Sequence, residues 1–137
     1  MTDAELVLKK LAFIETCLVE LRTLARPALL ETDPKERRFV EHTLQICIQA
    51  IQDTASHIVS DERLGEPRTN QELLTLLHAA GWLDSNTATV LRAAIGFRNV
   101  LVHGYTTVDL GVVRSILDTH LTEIEVFVRT IRSRVVS

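Results

Sequence analysis

The sequence predicts an all-α protein: an up-and-down bundle of four long helices plus one short helix, in a single domain spanning residues 1–137. Three observations carry this. Apolar residues recur three and four apart over long segments, the stripe of an amphipathic helix. Aromatics make up only 4% of the chain against 46% apolar residues, so aliphatic side chains must fill the core. The segments are joined by short connections, which make consecutive helices antiparallel neighbours.

The first helix runs from about Asp3 to Leu24, with Val7, Leu11, Ile14, Leu18 and Leu21 on one side, and Pro27 ends it. Asp33-Pro34, an N-cap followed by proline in the first turn, opens a second helix that continues to about Ser60. Its stripe is Val40, Leu44, Cys47, Ile51, Ala55 and Ile58. The polar, aperiodic stretch from Asp61 to Arg68 contains Gly65 and Pro67 and reads as a loop. Thr69 and Glu72 have the spacing of a capping box for a short third helix that stops at Gly81. Asp84 or Ser85 starts a fourth helix through Val90, Leu91, Ala94, Ile95 and Leu101, ending close to Gly104. A fifth extends from about Asp109 to Val135, with a seam of Val113, Leu117, His120, Ile124, Phe127 and Ile131.

The overall charge of −3 and pI near 5.9 exclude a protein that coats nucleic acid by bulk charge, so any RNA contact must be local. The basic clusters Lys35/Arg37/Arg38, Arg92/Arg98 and Arg129/Arg132/Arg134 read first as solvated helix faces. Cys17 and Cys47 fall among apolar residues and read as reduced packing residues. His42, His78 and His120 have no ligand-like spacing to one another or to the cysteines, so neither a metal site nor a cofactor is expected. His57, one turn after Asp53, reads as a structural or polar-edge residue. No secretory leader opens the chain, and no apolar run approaches the roughly 18 residues needed to span a bilayer. The expected location is the cytoplasm, without membrane association.

The segment Arg98-Asn99-Val100-Leu101-Val102-His103-Gly104-Tyr105 stands apart. Part of it fits an ordinary helix stop, with Gly104 at C′, His103 favouring the negative end of the dipole and Tyr105 packing back on the last turn. Arg98 strains that account, because it shares a stripe with Leu91, Ala94, Ile95 and Val102 and so places a permanent charge among core-facing residues. A buried arginine needs a partner. Either it pairs internally, with Asp53 of the second helix as the candidate, or the stripe opens there into a cleft that receives an anion. On an ideal helix Arg98 and His103 point about 140° apart. For both to address one substrate, the helix must unwind near Gly104 or two chains must share the site.

Arginine, four residues, histidine, one residue and tyrosine resembles the signature of the HEPN ribonuclease toxins that are partnered with minimal nucleotidyltransferases. Phe97 to Tyr105 is similar to that family's fourth-helix motif nearly throughout, Ala50 to Ile58 to its second-helix segment, and the order of elements matches over almost the whole chain. The resemblance implies the toxin of a type VII toxin–antitoxin pair, a metal-independent endoribonuclease. RNA then supplies its own nucleophile, the 2′-hydroxyl. His103 would take its proton, Arg98 would stabilise the charge on phosphorus, and Asn99 and Asp53 would support them. The resemblance further implies a homodimer and a nucleotidyltransferase antitoxin that attaches AMP to Tyr105, blocking the RNA site by charge and bulk. The alternative is a non-catalytic helical module that binds a nucleotide or a partner, in which Arg98 holds a ligand phosphate and His103 is dispensable. A third reading is a purely structural bundle with Arg98 and Asp53 as a buried pair.

Overall fold

In the computed structural model, which describes residues 2–103 and 108–136 and His103 by its backbone alone, α1 (Ala4–Thr23) starts where the Asp3 carboxylate accepts the Leu6 N–H at 3.2 Å. All five residues of its stripe are buried, and Cys17 joins them. A 3₁₀ turn at Pro27–Leu29 leads to α2 (Pro34–Asp61), capped by Asp33, whose side chain accepts the Lys35 N–H at 2.9 Å. The six residues of the α2 stripe are buried, but so are Thr43, Ile48, Ala50, Thr54 and Val59. The buried face is wider than expected because α2 packs against α1 on one side and against α3 and α4 on the other. The two threonines satisfy their hydroxyls within the helix, donating to the carbonyls of Phe39 and Ala50 at 2.7 Å each.

The short α3 (Glu72–Ala79) has a displaced capping box. Thr69 Oγ1 accepts the Glu72 N–H at 3.2 Å, while the Glu72 carboxylate reaches the N–H of Arg68, at 3.4 Å, and not that of Thr69. Gly81 ends the turn at φ +81°, where a β-carbon would be strained. α4 (Ser85–His103) is capped by Asp84, which accepts both the Thr87 N–H at 2.7 Å and its hydroxyl at 2.9 Å, deciding between Asp84 and Ser85.

The expected fifth helix begins as foreseen, with Asp109 accepting the Gly111 N–H at 2.8 Å, but it is not α-helical throughout. It consists of α5 (Leu110–Ser115), a π-helical turn (Ile116–His120) and α6 (Leu121–Val136). The wide turn takes up an extra residue. Beyond Val113, the buried positions are therefore Ile116, Leu121 and Ile124, and the expected seam residues Leu117 and His120 are only half-buried. From Ile124 the seam returns to Phe127 and Ile131 as expected.

The helices α1, α2, α4 and α6 pack in a ring, each against the next, and α3 covers the groove between α2 and α4. Among the described residues, thirty buried side chains form one connected apolar core. Cys17 and Cys47 are free and buried within it, and a hydrogen bond to Cys17 together with burial holds the Cys47 thiol well above its ordinary pKa. Several of the arginines read as solvated faces instead bridge elements. Arg37 donates to the carbonyls of Leu30 and Glu31, both at 3.0 Å. Arg132 binds the Glu15 carboxylate with two nitrogens, joining α6 to α1. Arg134 stacks 4.1 Å above the Trp82 ring and donates to Gly81 O at 3.0 Å, fastening the end of α6 to the α3–α4 turn. Arg114, outside those clusters, binds Glu31 with two nitrogens and Pro27 O at 2.9 Å, holding α5 against the α1–α2 connection.

These contacts set a pH dependence. Hydrogen bonds from Arg132, Arg114 and Thr87 lower the pKa values of Glu15, Glu31 and Asp84 respectively. A depressed carboxylate contributes stability that is complete above its unfolded pKa, about 4, and is lost as pH falls through the folded value. Urea denaturation should give a midpoint that is flat from about pH 5 to 7 and declines below about pH 4. Asp84→Asn should make that decline shallower, and an unchanged acid limb would show that the cap carries no linkage.

Candidate functional site

The α4 stripe is buried at Leu91 and Ile95, half-buried at Ala94 and Arg98, and lost to solvent at Val102, which is 42% exposed. The helix thus leaves the core at Arg98. Val100 and, on α5, Val112 are also exposed, so the end of α4 carries apolar side chains that the chain itself does not cover.

Arg98 has no carboxylate partner among the described residues. Its Nη1 donates to Asn99 Oδ1 at 3.3 Å, and its Nε is buried without a hydrogen-bond partner. Asp53, the candidate for an internal pair, is engaged elsewhere. Its carboxylate accepts from Gln49 Nε2 at 2.8 Å and lies 3.9 Å from Lys10 Nζ of α1. It lines an open cleft of about 420 Å³ between α1 and α2, with Lys10, Phe13 and Gln49. The structure brings Asn99 to Arg98 and does not bring Asp53 there.

A half-buried guanidinium with an unused, desolvated N–H and no counter-charge is costly for a fold to keep. It is well suited to an anion that can occupy two of its donors at once. Asn99 orients the group and, because its Oδ1 does the accepting, retains its amide N–H donors for a ligand.

α4 is helical through His103, its last residue. The Cα atoms of Arg98 and His103 are therefore about 140° apart around the axis, as on any regular helix. The expectations that Gly104 lets the chain unwind and that Tyr105 is a modification site fall outside the described residues. His57 is half-buried on α2 and His120 lies beside Glu123 on the last helix, its Nδ1 3.7 Å from Glu123 Oε1. Among the described residues no three of His, Cys, Asp and Glu cluster in a way that could hold a metal ion. No helix among them is long and apolar enough to cross a membrane.

Sequence reasoning missed the π turn and the cavity it borders. The sequence carries no clear signal of it, because Val113, Ile116, Leu117, Leu121 and Ile124 all fit one ordinary α-helical stripe.

Four long helices in a ring, one short covering helix and, among the described residues, an arginine without a carboxylate at an exposed helix end define a helical bundle. Residues 14–131 match the HepT-like ribonuclease family, and the chain belongs to it. It is 26% identical to the mRNA nuclease HepT of Shewanella oneidensis over 130 residues, covering 94% of this chain and 98% of that protein. It is 29% identical to the tRNA nuclease HepT of Aphanizomenon flos-aquae over 103 residues, covering 75% of this chain and 70% of that one. Among solved structures it resembles the tri-AMPylated Shewanella oneidensis HEPN toxin in complex with its MNT antitoxin, with a TM-score of 0.87 and 27% identity over 97% of this chain and 99% of that one.

The geometry separates a ligand-binding arginine from a structural one. Arg98→Met, which keeps the length and removes the charge, should leave the urea midpoint unchanged or raise stability by up to about 1 kcal/mol, since it relieves an unsatisfied buried donor. Breaking a buried ion pair would instead cost about 3–5 kcal/mol, and a loss of that size would show that Arg98 holds the fold together.

Proposed function

We propose that the chain is the toxin of a type VII toxin–antitoxin pair and a metal-independent endoribonuclease. The observation that carries this reading is the Arg98 guanidinium, half-buried at the end of α4, oriented by Asn99 and, among the described residues, without a carboxylate partner. The named nuclease activity of its HepT relatives supports it.

Arg98 binds two non-bridging oxygens of the scissile phosphate and stabilises the charge that gathers on them as the adjacent 2′-oxygen attacks phosphorus. His103 removes the 2′-hydroxyl proton, since an imidazole titrating near neutral pH is matched to that task. The bond from phosphorus to the 5′-oxygen breaks, leaving a 2′,3′-cyclic phosphate on one fragment and a 5′-hydroxyl on the other. Asn99 is an auxiliary donor. Asp53, which holds α2 to α1, supports the bundle and not the chemistry.

One imidazole does not readily serve as base and acid in one step, and Arg98 and His103 lie on different sides of a regular helix. Both points favour a homodimer in which Arg98 of one copy and His103 of the other meet at the shared site, the second His103 or water protonating the leaving oxygen. The exposed Val100, Val102 and Val112 give the second copy an apolar surface beside the site. A nucleotidyltransferase antitoxin attaches AMP to Tyr105. The added phosphate repels the RNA backbone and the nucleoside blocks its path. The similar toxin–antitoxin complex with AMP groups on its toxin supports this regulation. A protein that acts on RNA and draws on a cellular AMP donor works in the cytoplasm.

Purified protein should cleave mixed cellular RNA in excess chelator, leaving cyclic phosphate ends. Arg98→Ala should lower the rate by about 10²–10³, and His103→Ala by about 10²–10⁴. Cleavage abolished by chelator, or a fully active His103→Ala protein, would sink this mechanism.

A further inference from the structure

Between α4 and the α5–π–α6 run lies a cavity of about 310 Å³ that the cleavage chemistry leaves unused. Ala94 and Phe97 of α4 face Ile116 and Ile124 across it, and Ser115 and His120 bring polar groups to it. The volume sits at the lower end of the roughly 300–1,000 Å³ range of small-ligand sites, enough for one planar ring system.

His120 marks the cavity as more than a packing gap. Its Nδ1 is buried with no hydrogen-bond partner and stands 3.7 Å from the Glu123 carboxylate, which itself has a buried oxygen without a partner. A carboxylate on that side favours the proton on Nδ1, which leaves Nε2 as an acceptor on a ring that is 38% exposed. The π turn makes this arrangement. By assigning the buried places to Ile116 and Leu121, it puts His120 at the cavity margin and not in the seam. Wide turns of this kind recur at functional sites.

The position matters as much as the chemistry. Phe97, which lines the cavity, immediately precedes Arg98, so the cavity and the guanidinium share one turn of α4. We propose, on the basis of the ribonuclease reading, that the cavity is a base-selecting pocket. One unstacked nucleobase next to the scissile phosphate lays its face against Phe97 and its edge toward His120 and Ser115. Sequence-selective recognition of single-stranded RNA uses this combination of aromatic stacking and edge hydrogen bonds. An aliphatic side chain from a second copy would fill the space but offer nothing to the accepting Nε2, which the edge of a base can engage, so a base matches the polar side of the cavity better.

The test uses single-stranded oligonucleotides with one ribose, so that one bond can be cleaved, and with each of the four bases or no base on either side of it. Wild-type kcat/KM should be at least about tenfold higher for a favoured base than for the abasic substrate at one of the two positions, as stacking alone would provide. Ala94→Phe, which fills the cavity, should bring that ratio to about one. His120→Phe, which keeps a ring and removes the acceptor, should reorder the preferred bases. Thermal melting checks folding, and Ser115→Leu provides a second filling variant if Ala94→Phe does not fold. Cleavage indifferent to the base, or a ratio unchanged in the filled variants, overturns the pocket while leaving the ribonuclease standing. A filled variant whose sedimentation mass drops from two chains to one assigns the cavity to a second copy and also overturns it. A wild-type protein that cleaves none of the substrates removes both the pocket and the reading beneath it.

Discussion

The bundle depends on α2 burying two faces at once. With few aromatics available, the core is assembled from aliphatic side chains of modest size, and a helix that packs on one side only cannot gather enough of them. α2 resolves this by lying between α1 and the α3–α4 pair, with Leu44, Cys47, Ile48, Ile51, Ala55 and Ile58 fully buried. Its only buried polar residues, Thr43 and Thr54, return their hydroxyls to their own helix. With that helix fixed, α1 and α4 have defined positions on its two sides, α6 closes the ring between them, and α4 can extend beyond the core without the fold losing definition.

This extension gives the chain a place for chemistry. A guanidinium deeper on α4 would need an acid to neutralise it. One on the protruding turn would be solvated and flexible. Arg98 stands at the boundary, half covered, steadied by the neighbouring amide and, among the described residues, without a counter-ion. On the proposed reading, stability and function pull in opposite directions there, because a residue that the fold accommodates poorly is the one that would meet a phosphate.

Most of the architecture was legible in the sequence because it is written in local, repeated signals. The stripes of α1 and α2, the caps at Asp33, Asp84 and Asp109, and the stop at Gly81 each follow from rules that operate within a turn or two. Arg98 could be singled out for the same reason, since a charge within an apolar stripe is visible without knowing the fold. What could not be read depends on contacts between elements. The choice of Lys10 and Gln49 over Arg98 as partners for Asp53 is decided by how α1 lies on α2. The roles of Arg114, Arg132 and Arg134 depend on which helix ends meet. The π turn falls between these cases. Ile116 and Leu121 were visible as apolar positions, but a seam through Leu117 and His120 fits the same α-helical periodicity, and only packing against α4 selects between them.

The π turn also has a consequence for how this chain can change. It holds one residue more than an α-helix needs over the same length, so it serves as a phase adjuster between α5 and α6. Deleting a single residue within Ile116–His120 would restore an α-helical turn and leave α5 and α6 in the same phase, whereas the same deletion in a regular α-helix would rotate one side by about 100°. α6 would remain seated through Ile124, Phe127 and Ile131. The run can therefore lose one residue there without re-aiming the surface that α5 presents beside the end of α4, and without any change to the residues that hold the bundle together.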